Sequence, residues 1–258
     1  MNRESILKVE GVGKSFGGLE ILRNITFDVK KGERIGIIGP NGAGKTTFYN
    51  LLAGDLDPSK GTIYYCGQNI TNLPNYKRAN IGIVRTFQKN NLLTDLTVLD
   101  NLLLVLQRKE GLGNVWFKPR VEKHYSILFE KARELLSKWG LEKQTHKIVK
   151  SLSYGEQRQI EILLGIATDP KVLLLDEPTA GMSQAETNYI VNLLHTLPKE
   201  LTLMIIEHDL EVVFGLSDRM IVLYNGGILV DGDPQIVRND KRVNDIYIGQ
   251  GESLSASS

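Results

Sequence analysis

Apolar and polar positions change period along this chain, and the changes mark its elements. Residues 6–39 contain ILKVEGVGKSF, ITFDVKKG and ERIGIIG, short β-rich segments with glycines at turn positions, and they predict sheet. KTTFYNLLA at 45–53 predicts a helix closed by Gly54 and followed by Pro58, after which GTIYYCGQNI returns to strand. Within 92–151 the period lengthens: Val121, Tyr125, Leu128, Phe129, Ala132, Leu135, Leu136 and Trp139 recur every three or four residues before Gly140. That spacing predicts a helical insertion whose apolar stripe is a packing face. From Val172 onward KVLLLDE, ETNYIVNLLHTL, LTLMIIEH and MIVLYNGGILVDG alternate, as in a mostly parallel sheet covered by helices. The expected organisation is a single α/β domain over 1–250 with a helical subdomain at about 92–165. Residues 251–258 (ESLSASS after Gly251) hold too little apolar content to pack and are expected to be a flexible tail.

Composition narrows the function classes. Thirty-one Lys and Arg against 30 Asp and Glu leave a net charge of +1, without the broad basic footprint of a general nucleic-acid binder, so no nucleic-acid partner is expected. The single cysteine, Cys66, offers neither an internal disulfide nor a metal cluster, which fits a reducing compartment. The N-terminal MNRESILKVEGVGKSF carries charges where a secretory signal needs apolar residues. The richest apolar stretch, 96–106, is interrupted by Asp100 and Asn101 and falls short of the ~20 residues of a spanning helix. Membrane association is therefore expected only through a partner.

The chemistry concentrates in three places. Gly39, Pro40, Asn41, Gly42, Ala43, Gly44, Lys45 and Thr46 form a phosphate-loop pattern between the strand RIGIIG and an apolar helix. In that context successive backbone N–H groups wrap phosphates while the helix N-terminus faces their charge. Lys45 is placed to reach the β- and γ-phosphates, the Thr46 hydroxyl to ligate Mg²⁺, and Thr47 to add a contact on the α-phosphate side. KVLLLDE delivers two carboxylates to the end of a buried strand. Asp176 is expected to hold Mg²⁺ through its water shell and Glu177 to polarise an attacking water. LSYGE opens a helix in which Ser153 and Glu156 have capping-box spacing; the same N-terminus, with Gly155 in its first turn, suits an incoming γ-phosphate. The two readings are compatible.

The order of these elements resembles the ATP-binding-cassette (ABC) family over essentially residues 6–249. The phosphate loop, Gln88 in RTFQ, LSYGE just before LLLDEPTAG, and His208 after LMIIE stand in the family's sequence. The resemblance implies a P-loop NTPase core with a mostly parallel sheet, an N-terminal antiparallel β subdomain and an inserted α-helical subdomain. It implies ATP and Mg²⁺ as cofactors and ATP hydrolysis as the activity. Phe16 would stack on adenine, although without the resemblance it is a candidate core residue. Gln88 would sense Mg²⁺ and water and link the core to the helical lobe, and His208 would contact the γ-phosphate and hold Glu177 in place. Two positions depart from the family pattern: Tyr154 stands where a glycine is usual, with Glu156 in place of Gln, and Ser183 ends a segment that more commonly ends in Asp.

In that family the phosphate loop and the LSYGE helix meet across a dimer, so one copy of each implies two subunits: a homodimer, or a heterodimer with a second ABC ATPase. The remaining partners implied are transmembrane permease subunits and, indirectly, a substrate-binding protein, with the chain cytoplasmic and peripheral on the inner face of the membrane. GIVRTFQ, the insertion around Trp116, Phe117 and Lys118, EPTAGM, LMIIEHDLEVVFGLSDRMIVL and DIYIG look most like the ATPase subunits of bacterial importers for branched-chain and other hydrophobic amino acids. Similar subunits serve urea uptake or lipopolysaccharide export, and a non-transport accessory ATPase is a further alternative.

Overall fold

The structure, a computed structural model, describes residues 4–86, 92–111 and 121–248. The expectations placed on Gln88, on Trp116–Phe117–Lys118 and on the tail 251–258 lie outside the described residues.

The chain opens with β1 (Ser5–Phe16), β2 (Leu19–Lys30) and β3 (Arg34–Ile38), then α1 (Lys45–Ala53), β4 (Lys60–Tyr65), β5 (Gln68–Asn69), α2 (Asn75–Ile81) and β6 (Ile83–Arg85). Helices follow: α3 (Val98–Lys109), α4 (Val121–Lys138) and α5 (Tyr154–Ala167). The chain then alternates β7 (Val172–Asp176), α6 (Gln184–His195), β8 (Thr202–Ile206), α7 (Leu210–Leu216) and β9 (Arg219–Tyr224), and closes with β10 (Gly227–Gly232), α8 (Pro234–Asn239) and α9 (Lys241–Ile248). A four-stranded antiparallel sheet runs β2-β1-β4-β5. A six-stranded sheet runs β10-β9-β3-β8-β7-β6, parallel throughout except for β10.

Two segments read as single stretches in the sequence are hairpins. GTIYYCGQNI folds back at Cys66–Gly67 between β4 and β5. MIVLYNGGILVDG turns at Asn225–Gly226, both at positive φ, the Asn-Gly signature of a tight hairpin.

The central sheet is buried on both faces, which explains why β7 and β8 are apolar without interruption (VLLLD, TLMII). Successive side chains of a strand point to opposite faces. Thus Leu173, Leu175, Leu203 and Ile205 join a core with α3, α5 and α6, whereas Val172, Leu174, Met204 and Ile206 join one shared with α1 and the antiparallel sheet. From α4, Leu128, Ala132 and Leu136 enter the first core, with Trp139 just beyond. Phe129, counted in the same stripe, lies instead on the exposed side, since one residue's step is about 100° of helix.

Candidate nucleotide site

The carboxyl edge of the parallel sheet is where ligands bind in open α/β folds, and here three strands deliver their following residues to it. The loop after β3 carries Gly39 to Gly44, β7 ends in Asp176 followed by Glu177, and β8 is followed by Glu207 and His208. A cavity of about 340 Å³ at that edge is lined by Ile21, Asn41 to Thr47, Glu177 and His208. The glycines are sterically required. A side chain at Gly39 would put its Cβ 2.2 Å from the Leu223 carbonyl oxygen, and Gly44, the N-cap of α1, has φ 101° with Leu22 2.6 Å from an added Cβ. Lys45 is buried, and its ammonium donates to the carbonyls of Gly39 at 2.5 Å and Pro40 at 3.1 Å. The Pro40 carbonyl also accepts from the Ala43 N–H at 3.1 Å, closing the loop on itself.

Asp176 is fully buried, and its two carboxylate oxygens have different surroundings. Oδ2 accepts from Arg85 Nη2 at 2.6 Å, whereas Oδ1, equally buried, has no hydrogen-bond partner among the described residues. A buried carboxylate oxygen without a donor is costly unless a cation or its water shell satisfies it. Together with the exposed Thr46 hydroxyl this oxygen set suits Mg²⁺, which takes oxygen ligands, keeps several waters and borrows the rest from phosphates. Among the described residues no group of three or more His, Cys, Asp or Glu could hold a metal ion alone.

Glu177 adopts φ 49°, a left-handed conformation that is strained for a residue with a side chain. Three contacts enforce it: its N–H donates to Ile206 O at 2.8 Å, its carbonyl accepts from Ala180 N at 3.2 Å, and the same carbonyl accepts from Arg158 Nη2 at 3.0 Å. The kink turns Glu177 out of the strand direction, and Oε1 lies 2.9 Å from His208 Nε2. A carboxylate only accepts, so in this contact the imidazole Nε2–H donates to Glu177 Oε1.

Charged residues that carried no signal in the sequence hold this edge together. Arg158 on α5 is buried, pairs with Glu161 at 2.6 Å, and donates to the backbone carbonyls of Asp176 and Glu177. Glu207 is buried and accepts from Thr179 N at 2.6 Å, Thr179 Oγ1 at 2.7 Å and His208 N at 3.1 Å. Burial pushes its carboxyl above the usual range despite those donors. Glu207 thereby ties the backbone bearing His208 to the turn that follows Glu177. A solitary acid at the end of an apolar strand was the available signal.

Of the predicted residues, Gly39, Pro40, Asp176, Ser153, Gly155 and Phe16 do not line the cavity. Ser153 caps α5 through the Glu156 N–H at 3.2 Å, and Glu156 returns a bond to the Ser153 N–H at 2.9 Å. Ser153 and Gly155 do not line the cavity; Gly155 faces an apolar recess with Met182 and Tyr189. Phe16 is not a core residue: it is 49% exposed at the end of β1, with the Lys14 ammonium 5.1 Å from its ring centroid. Tyr154 is exposed and covers Gly181, and Ser183 caps α6 by a second capping box with Glu186. The serine thus performs a helix-capping role at the position where the family more commonly has aspartate.

A glycine loop wrapped on a buried lysine, facing an acid–imidazole pair at the carboxyl edge of a parallel sheet, defines a phosphate-loop nucleoside triphosphatase. Comparison with known proteins agrees and narrows the class. The family described as ABC transporter matches residues 22–180. The high-affinity branched-chain amino acid transport ATP-binding protein LivG of Escherichia coli K12 is 37% identical over 252 residues, covering 96% of this chain and 99% of that protein. BraF of Pseudomonas aeruginosa, of the same description, is 35% identical over 250 residues, covering 95% and 98%. Among solved structures, MJ1267, an ATP-binding cassette of an ABC transporter, superimposes with a TM-score of 0.82 at 33% identity over 95% of this chain and 100% of that one. The chain belongs to the ABC transporter family, as one of its ATP-binding, ATP-hydrolysing subunits.

Proposed function

We propose that this subunit powers the uptake of branched-chain or other hydrophobic amino acids, hydrolysing ATP with Mg²⁺ as a peripheral protein on the inner face of the membrane. The observation that carries the hydrolytic part is the single cavity joining the phosphate loop to Glu177 and His208. Lys45 and the backbone N–H groups of 41–47 would hold the phosphates, and Thr46 and Asp176, with Gln88 as the family resemblance implies, would hold Mg²⁺, which when bound would supply positive charge to offset that on the phosphates. Glu177 accepts the proton of the attacking water, and His208 keeps that carboxylate aimed and reaches the γ-phosphate. Phe16, exposed at the rim of the β1–β2 hairpin, stacks on the adenine.

The cargo is supported by full-length similarity to LivG and BraF, whose names state branched-chain amino acid transport. The separation of Ser153 and Gly155 from the cavity supports assembly of each complete site from two chains, either two copies or this chain and a second ABC ATPase. The dimeric MJ0796 cassette bound to ADP and Pi, matched at a TM-score of 0.74 and 25% identity over 89% of this chain and 99% of that one, supports the same reading. Among the described residues no helix is long and apolar enough to cross a membrane, so permease subunits would supply the path. A groove of about 240 Å³ lined by Tyr76, Ala79, Val84, Arg85 and Arg108, where α2 and β6 approach α3, is the proposed dock for them.

The test is to tag the chain in its native cell, solubilise membranes in mild detergent and identify what copurifies. Two permease subunits, a second ATPase and an amino-acid-binding protein are the expected set. Recovery with urea or lipopolysaccharide components would change the cargo, and recovery only from the soluble fraction would overturn the transport reading.

A further inference from the structure

Arg85 has no place in the chemistry described so far, yet it bridges several groups beside the site. It ends β6, three residues before Gln88 in the sequence, and only 7% of its side chain is exposed. One nitrogen, Nη2, donates to Asp176 Oδ2 at 2.6 Å. The other, Nη1, donates to Asn50 Oδ1 at 2.5 Å in α1 and to Asp55 Oδ2 at 3.2 Å just after it. The guanidinium carbon lies 5.9 Å from the Tyr49 ring centroid, so an aromatic face limits its movement. Next along the chain, the Thr86 N–H donates to the Leu174 carbonyl at 2.9 Å, anchoring the backbone beside Arg85 to β7.

A guanidinium is a rigid planar fork, and here its two ends bind elements that carry opposite halves of the site: the phosphate-loop helix and the acid strand. By occupying Oδ2 it holds one side of the Asp176 carboxylate and leaves Oδ1, buried and without a hydrogen-bond partner among the described residues, as the oxygen still to be satisfied. Asp55 shares the guanidinium charge, so Asp176 is oriented without its charge being fully cancelled. We propose that Arg85 is a positioning residue that aims Asp176 at the nucleotide-bound Mg²⁺ and locks the distance between that carboxylate and α1. The inference rests on the nucleotide site proposed above.

The test measures ATP affinity by calorimetry in EDTA and again in Mg²⁺, for the full chain, Arg85→Met, Arg85→Lys and Asp176→Asn. Partners oriented outside the direct ligand sphere commonly govern metal affinity by 10- to 100-fold, so Arg85→Met should lose roughly tenfold or more of the Mg²⁺-dependent gain. Its affinity in EDTA should stay that of the parent chain, and Arg85→Lys, which keeps the charge but not the fork, should recover only part of the gain. In the Asp176→Asn background the Arg85→Met effect on the Mg²⁺ gain should vanish. An unchanged Mg²⁺ gain in Arg85→Met, or an equal loss with and without Asp176, overturns the inference. A parent chain that binds no ATP in either buffer would instead overturn the nucleotide site itself.

Discussion

His208 Nε2 lies 2.9 Å from Glu177 Oε1, across a gap between the ends of two neighbouring parallel strands. The acid is reached through a left-handed backbone residue and the imidazole through a backbone N–H held by Glu207, so both partners are fixed from behind. Such a pair can orient a water without moving when nucleotide arrives.

Glu177→Gln should therefore bind ATP normally and lose turnover by at least ~10²-fold, the usual contribution of a positioned general base. Single-turnover hydrolysis beside nucleotide binding checks it. Turnover within a few-fold of the parent would place the base elsewhere. His208→Ala should show the same direction, since Glu177 keeps its kink but loses the ring that aims it.

Lys45→Ala should abolish ATP binding at micromolar nucleotide. The same change removes two bonds within the loop, to Gly39 and Pro40, so a small drop in melting temperature should accompany it. Unchanged affinity by fluorescence titration would contradict the assignment of this loop.

Arg78 is fully buried and donates to five backbone carbonyls, those of Leu51, Leu52, Ile70, Thr71 and Leu73. Burial pulls its guanidinium down to about 10. Arg78→Met fills similar volume but strands those acceptors, and each buried unsatisfied group costs ~1–3 kcal/mol, so a loss of at least ~3 kcal/mol is expected. Urea denaturation measures it; a loss below ~1 kcal/mol would mean that water replaces the guanidinium.

Glu207 gives a pH signature. Its carboxyl is raised by burial, so the folded state holds the proton more tightly than the unfolded chain. Stability from this group is full at low pH and is lost as pH rises from the ordinary carboxyl range through the raised value. Glu207→Gln removes that slope: the melting temperature of the variant minus that of the parent should grow more positive from pH 4 to 7. A difference constant across that range would show that the three donors offset burial completely.

Much of the fold and site could be read from residue order alone, because phosphate loops, acid-ended strands and capping boxes are local in sequence. The chain-local signals Gly39 to Thr47, Asp176–Glu177 and Ser153–Glu156 lie in loops, strand ends and caps of the kind their spacing predicted. What escaped was long-range: Arg78 and Arg85 look like ordinary surface cations in YKRANIG and IVRTFQ, and only folding brings carbonyls or carboxylates against them. Arg158 escaped for the same reason, since its i,i+3 partner Glu161 suggests an exposed ion pair, whereas both are buried. Phe16, for which a core position was the alternative to stacking, is exposed at the end of β1, so that alternative falls.

Arg158 sits five residues after Ser153 on α5, about 7.5 Å along the axis at 1.5 Å per residue. The helix is capped at one end, and its second turn grips the peptide groups of both catalytic-strand acids. The capped end of α5 and the peptide groups of both acids are thus joined through one short stretch of helix, so contact at that end and alignment of the base share a single element.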